Sequence, residues 1–266
     1  MRNYRQFSLF HLGVLFLGGL VLLFIVAPLA GMFMHTSGSA LMDTIGEADV
    51  RHSILLTLGC SFGATLLMAI AAIPFAYFLA RNEFPLKRLL LGILDLPVVI
   101  PHSAAGIALL GILNRNSLLG GAAEKCGFSF VGHPAGIMAA MAFVSIPFLL
   151  NAAREGFAAV PERLENSALT LGAHPARVFF SISLPLARRS ILTGLVLMFS
   201  RGLSEFGAVM VMAYHPMVTP ILIYERFTAY GLKYARGVSA VFILVCLVVF
   251  VGLRCLTGGK RYAARA

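Results

Sequence analysis

The sequence predicts an all-α membrane protein of about six transmembrane helices with both termini in the cytoplasm. Three observations predict it. Of the 266 residues, 59% are hydrophobic and 12% charged, whereas a soluble domain has about a quarter of its residues charged; lipid must therefore solvate much of the surface. The apolar residues fall into six runs, each near the roughly 20 residues that cross a bilayer core. The lysines and arginines stand in short clusters between those runs, as topology signals do. They form no single stripe with interleaved aromatics, so the net charge of +10 does not point to nucleic acid.

The first run extends from about Leu9 to Met34. Arg2 and Arg5 ahead of it give it the look of a signal peptide, but it is longer than an h-region and no small-residue cleavage site is obvious. It reads as a retained helix. The second span runs from about Ser53 to Ala80, the third from about Leu89 to Leu113, and the fourth, a shorter one, from about Ala135 to Leu150. The fifth covers about Ile191 to Ala213 and the sixth about Val238 to Leu253. Arg2, Arg5, Arg81, Lys87, Arg88, Arg154, Arg163, Arg177, Arg188, Arg189, Arg254, Lys260, Arg261 and Arg265 fall on one side of these spans, fourteen in all. Arg51, Arg115, Lys125, Arg226, Lys233 and Arg236, six in all, fall on the other, and Arg201 lies within a span. Fourteen against six places the first side, with both termini, in the cytoplasm.

Residues 1–266 read as a single transmembrane domain with no separate soluble unit. Its longest cytoplasmic connection, about Asn151 to Ser190, is helix-compatible and punctuated by Pro161, Pro175 and Pro185. A loop of that length in a compact protein is usually functional.

Enzyme chemistry finds little support. There is no GxxxxGK[ST] to cradle nucleotide phosphates, and Gly258-Gly259-Lys260 has neither the spacing nor the hydroxyl residue. The seven histidines form no HExxH; the GxSxG spacing occurs once, at Gly59-Cys60-Ser61-Phe62-Gly63, but inside the second apolar run rather than at a strand-to-helix turn, so it makes no nucleophile elbow. Cys60, Cys126, Cys246 and Cys255 make no CxxC pair and read as small hydrophobes. No catalytic residue and no metal ligand is therefore assigned.

Polar groups within the spans are more telling, because an ionisable side chain at bilayer depth costs about 2.5–3.5 kcal/mol and normally faces protein or water. Asp95 precedes Pro97, Pro101 and His102 in the third span. Two prolines four apart break the helical ladder, which membranes tolerate where backbone is buried in protein or lines a cavity; the other reading is an Asp near the end of a kinked helix. In the fifth span, Arg201 and Glu205 are i and i+4 and so share a helical face. Together with Ser204 and Phe206 they either line or gate a polar path or form a structural ion pair.

One segment carries a family resemblance. Glu165-Asn166-Ser167-Ala168-Leu169-Thr170-Leu171-Gly172 is followed, after nine residues, by Ile182, Ser183, Leu184 and Pro185. This resembles the coupling motif of ABC importer permeases, E-A-A-x-x-x-G, nine residues, then I-x-L-P. Gly172, Ile182, Leu184 and Pro185 match; Asn166 stands in the Glu place and Ser167 in the first Ala place, Ala168 matches, and Glu165 offers an acidic group one residue early. Gly172 is suited to end a helix in a left-handed conformation and Pro175 to start the next. The stretch Pro74-Phe75-Ala76-Tyr77-Phe78-Leu79-Ala80-Arg81 is similar to the same superfamily. Ser204-Glu205-Phe206-Gly207-Ala208 resembles the G-E-F-G-A of sulfate, molybdate and tungstate permeases, and Tyr214 to Phe227 resembles the molybdate/tungstate branch.

The resemblance implies a type I, molybdate-permease-like fold in the inner membrane. It implies a homodimer over two ABC ATPase subunits that bind the ATP, so that this chain itself holds no cofactor. It also implies a periplasmic or lipid-anchored oxyanion-binding protein on the outer face, near Glu124 and His215 to Arg236, with lipids around the spans. Arg226 and Lys233 there either draw an anion inward or face headgroups. The cargo would be tungstate or molybdate, moved by alternating access without a high-affinity site in the permease. The alternatives are sulfate or another anion, or an ion-gradient-driven secondary transporter, for which no convincing internal repeat is present.

Overall fold

The computed structural model describes residues 9–257, and among them the regular structure is all helical. The basic residues Arg2, Arg5, Lys260, Arg261 and Arg265, and the Gly258-Gly259-Lys260 triplet, lie outside the described residues. Helix α1 (Leu9–Met34) leaves its large apolar side chains from Phe10 to Val26 exposed. A short α2 (Gly38–Gly46) follows, its N-terminus capped by the Ser37 hydroxyl, which accepts from the Ala40 N–H at 3.3 Å. Helix α3 (Ala48–Arg81) has 34 residues, about 51 Å at 1.5 Å per residue, so it overreaches a hydrocarbon core of about 30 Å at one or both ends.

The third span is broken. Helices α4 (Lys87–Val99) and α5 (His102–Leu113) meet at Ile100 and Pro101 with a bend of 110°. Proline forbids the ladder bond there and pushes its predecessor out of helical conformation. A short α6 (Leu118–Lys125) leads to α7 (Pro134–Ala158). Next come α8 (Glu162–Thr170) and α9 (Pro175–Val178), a π-helical turn at Phe179–Ser183, and α10 (Leu184–Leu203). The chain ends with α11 (Gly207–Met212), α12 (Thr219–Tyr230) and α13 (Leu232–Thr257). Among the described residues, five helical runs are long and apolar enough to cross a membrane, six with the bent pair taken as one.

Two boundaries differ from expectation for physical reasons. The fourth span is not short: α7 continues eight residues past Leu150, because Asn151, Arg154 and Glu155 end the apolar run without ending the helix. The fifth does not continue to Ala213. Helix α10 stops at Leu203, and the Glu205 carboxylate accepts the Ala208 N–H at 2.9 Å, capping the start of α11. Helix α12 fills what reads in sequence as a connection.

Helix α7 is the axis of the fold, with α3 and α10 packed along it. Small residues set the spacing, as they do between membrane helices: a Cβ on Gly194 would sit 2.9 Å from that of Ala152. One core cluster, including Cys60, Ile137, Met141, Val209 and Met212, lies toward the start of α7. Another, including Ala76, Leu149, Phe157, Ile191 and Met198, lies toward its end. The Ser61 hydroxyl ties α3 to α10 by donating to the Phe199 carbonyl at 2.7 Å. Leu55, Phe62, Leu66, Leu67 and Ile70 of α3 remain exposed, the composition of a lipid-facing stripe.

Candidate functional site

Two buried polar clusters stand out, one at the α8 end of the molecule and one where the two broken helices meet. At the α8 end the turn follows the residues closely. Gly172 has φ +85; its N–H donates to the Leu169 carbonyl at 2.9 Å and the next N–H, of Ala173, reaches the Ala168 carbonyl at 3.0 Å. That double bond pattern is a Schellman stop, which a side chain would strain. Pro175 then opens α9, and the His174 ring accepts the Ala176 N–H at 3.3 Å. The result is a helix–turn–helix arm. Asn166, Ser167 and Gly172 are exposed, Ala168 is half-buried, Ile182 and Leu184 are half-buried where the arm rejoins the body, and Pro185 is exposed in the first turn of α10.

Glu165 faces the other way. It is 5% exposed and the sole buried residue of α8. Arg81 grips it with two bonds, Nε to Oε2 and Nη2 to Oε1, both 2.8 Å. The Ser183 hydroxyl donates to Oε1 at 2.7 Å and the Tyr77 hydroxyl to Oε2 at 3.2 Å. Burial pushes the Glu165 carboxyl up, but the bonds from Arg81, Ser183 and Tyr77 and the Arg81 charge outweigh it and hold the group below its ordinary 4.5. The acidic group of the motif is therefore committed inward, and Asn166 is what the arm presents outward.

The second cluster assembles across 99 residues of sequence. His102 opens α5, Arg201 lies in the last turn of α10, and Glu205 sits in the break before α11. Arg201 Nη2 lies 2.8 Å from the His102 ring nitrogens, and Nη1 donates to the Ser204 hydroxyl at 3.2 Å. Glu205 is fully buried. Its Oε1 holds α11, while Oε2 lies 3.0 Å from both Arg201 Nη2 and His102 Nδ1, in ion-pair range of each but aligned for a hydrogen bond with neither. The Arg201 and His102 side chains are 23% and 33% exposed. The i, i+4 pairing thus forms, though across a helix end rather than along one helix.

Helices α5 and α11 touch backbone to backbone beside this cluster: a Cβ on Gly106 would lie 2.9 Å from the Ala208 carbonyl, and one on Gly207 2.9 Å from the His102 Cβ. Pro97 is buried one turn before the bend, and Phe206 turns toward the Tyr224 ring, 5.2 Å away. Neither contributes a polar contact. Asp95 accepts from Asn151 Nδ2 at 2.6 Å and borders a cavity of about 410 Å³ shared with Glu155.

At the opposite end from the arm, a cavity of about 610 Å³ is lined by Asp49, His52, His215, Glu225, Arg226 and Tyr230, among others. Arg226 is paired with Glu47 at 2.6 Å, which neutralises much of its field, and Lys233 is exposed. Among the described residues, no three His, Cys, Asp or Glu side chains are grouped to hold a metal ion. Sequence reasoning missed Tyr77, Arg81 and Ser183 as partners of Glu165. In sequence Tyr77 and Arg81 carry only a family resemblance and a topology signal, and nothing local to either marks interactions 88 and 84 residues away.

Residues 72–255 match the model of the binding-protein-dependent transport system inner membrane component family. The chain is 38% identical to the molybdate/tungstate transport system permease protein WtpB of Thermococcus kodakarensis, over 96% of this chain and 98% of that one. It is 38% identical to the protein of the same name in Methanocaldococcus jannaschii, over 88% and 92%. A probable sulfate transport system permease protein of Nephroselmis olivacea is 27% identical over 91% and 87%. In fold, the chain resembles a chain of a bacterial alginate ABC transporter solved with an alginate-bound periplasmic protein, at 16% identity and TM-score 0.74 over 97% and 98% of the two chains. It also resembles a chain of the MetNI methionine ABC transporter in inward-facing form, at 12% identity and TM-score 0.59, over 78% and 92%.

Proposed function

This chain belongs to the family of inner membrane components of binding-protein-dependent transport systems, a multi-pass permease subunit of an ABC importer, and from that premise we propose that its cargo is molybdate or tungstate. The observation that carries the cargo is the 38% identity, along nearly the whole length of both chains, to permeases named for those two oxyanions. Sulfate is the second reading, favoured by the 27% identity to probable sulfate permeases.

In the mechanism we propose, the arm from α8 to α9 docks on a separate ATPase subunit. Its outward surface suits that role: Leu164, Leu169 and Leu171 are exposed, Leu171 at 88%, on a segment that otherwise carries charge. Exposed leucines on a rigid polar arm are the composition of an interface anchor. The arm side is then the cytoplasm, in agreement with the basic residues. Nucleotide binding and hydrolysis belong to that ATPase. A second copy of this chain completes the path, since six spans enclose no channel of their own and the apolar surface of α1 is exposed in the single chain. The outer cavity beside Asp49 and His215 faces a binding protein that delivers the anion.

Ile100 and Pro101 break one span and Ser204 to Phe206 another, and His102, Arg201 and Glu205 join the two breaks, so α5 and α11 swing as a pair. Arg201 and His102, both partly exposed, present donors to a passing anion. Glu205 keeps Arg201 in place and limits how strongly the site holds what it must release.

The test is ATP-dependent uptake of labelled tungstate into proteoliposomes holding this chain, its ATPase and its binding protein. Block by molybdate but not by excess sulfate supports the cargo proposed here. Effective competition by sulfate moves the chain to the sulfate reading, and uptake without ATP removes the ATPase coupling.

A further inference from the structure

The arm has an attachment of an unusual kind. Helix α8 buries one residue, and that residue is a carboxylate. Its leucines at 164 and 169 are 43% and 41% exposed, so hydrophobic packing does little to fix the helix. What fixes it is the set of four hydrogen bonds on Glu165, which occupy both oxygens and come from two different elements: Tyr77 and Arg81 at the end of α3, and Ser183 in the π-helical turn. Arg81 makes one further bond, Nη2 to the Val160 carbonyl at 3.0 Å, which fixes the entry to α8. The donors themselves are held. The Tyr77 ring sits among Phe157 and Phe179 at 5.2 and 5.0 Å, and the Arg81 guanidinium lies over that ring at 5.8 Å. A planar guanidinium meeting a carboxylate with two parallel bonds permits little rotation or slide.

Helix α3 carries this attachment the length of the molecule. At its far end Thr57 accepts the Thr219 N–H at 2.8 Å, and Ser53 Oγ lies 3.4 Å from Thr219 Oγ1. Those contacts hold the start of α12 beside the outer cavity. One continuous helix therefore connects the arm to the opposite surface.

We propose that Glu165 and Arg81 are positioning residues for energy coupling: they lock the α8–α9 arm to the end of α3, so that a push on the arm is delivered to α3 rather than absorbed by the loop. This role rests on the arm's docking to the ATPase, as proposed above. The π-helical turn fits it, since such irregular turns persist where a side chain must be aimed. Here the turn puts Ser183 onto the carboxylate.

The experiment uses the full transporter in nanodiscs, in a background freed of native cysteines, with spin labels at the exposed positions 82 and 177, the latter in α9 and away from the leucines of the docking surface. In the parent protein the distance between them is narrow and the same in nucleotide-free and ATP-trapped states. In Glu165→Gln it broadens, and transport per ATP hydrolysed falls about ten-fold or more, the scale of one lost charge-assisted bond, while the ATPase still co-purifies. Arg81→Lys, which keeps the charge but not the fork, recovers part of the coupling that Arg81→Ala loses. An unchanged distance in Glu165→Gln overturns the lock, and a broadened distance with parental transport per ATP overturns the positioning role. A Leu171→Cys variant that never crosslinks to the ATPase, with the distances as expected, instead overturns the docking on which the role depends.

Discussion

The two Arg–Glu pairs of this protein differ in how completely they are satisfied. At the arm, Glu165 accepts from three side chains on two elements, and Arg81 has a carbonyl besides. At the meeting of the broken helices, one oxygen of the fully buried Glu205 is bonded to a backbone N–H while the other has Arg201 and His102 as neighbours but is aligned for a hydrogen bond with neither. A fully bonded charge pair in a desolvated place resists motion, because any displacement leaves a buried charge uncompensated. A partly aligned one has partners to exchange. The first arrangement suits a strut and the second suits a gate.

The largest expected effect breaks the second pair. Glu205→Ala strands Arg201 and uncaps α11, and removing one partner of a buried pair costs about 3–5 kcal/mol. The purified permease is expected to lose thermal stability and uptake together; a stable, fully active variant would reduce the cluster to decoration. Next is the turn that aims the strut. Proline at 172 would need φ near −65° where the chain has +85, and it would remove the N–H that Leu169 receives. Gly172→Pro should insert normally, remain able to bind the binding protein, and hydrolyse ATP without moving cargo; uptake at the parental rate would mean the arm does not couple.

Leu171→Asp sharpens the comparison at smaller cost. The side chain is 88% exposed, so fold stability should change by no more than about 0.5 kcal/mol, while co-purification with the ATPase weakens. The smallest effect is that of mild acid on the strut. Because the Glu165 value is lowered in the folded chain, its contribution is complete above the ordinary 4.5 and disappears only as pH falls through the lowered value. Limited proteolysis of the arm should therefore be the same at pH 7 and pH 5, and increase only below the ordinary carboxylate range.

Much of this was readable in residues. Gly172 and Pro175 specify a helix stop and restart within four positions, and the structure has both. Pro97 and Pro101 mark a break, and the bend falls at Pro101. Arg201 and Glu205 were legible as a pair because four residues separate them. What misled was also local. The apolar run around residue 200 reads through Ser204 and Glu205 as one span, because hydropathy does not register that Glu205 caps a new helix three residues on. Glu165 reads as an acidic group for the coupling motif, one residue early, and only Arg81, 84 residues earlier, shows that it turns inward.

The sequence by itself determined that lipid is the solvent, that there are about six spans and roughly where each lies, and that one polar connection is built as a tight helix–turn–helix. These follow from composition and from bonds spanning four residues or fewer. Only the tertiary structure decided which acid is fully hydrogen-bonded, which is held between two broken helices, and that the single buried residue of α8 is a charge. Those outcomes depend on the packing of α3, α7 and α10, which brings donors and acceptors together across 84 and 99 residues. No local pattern encodes that geometry, since each side chain's partner is chosen by the space the others leave.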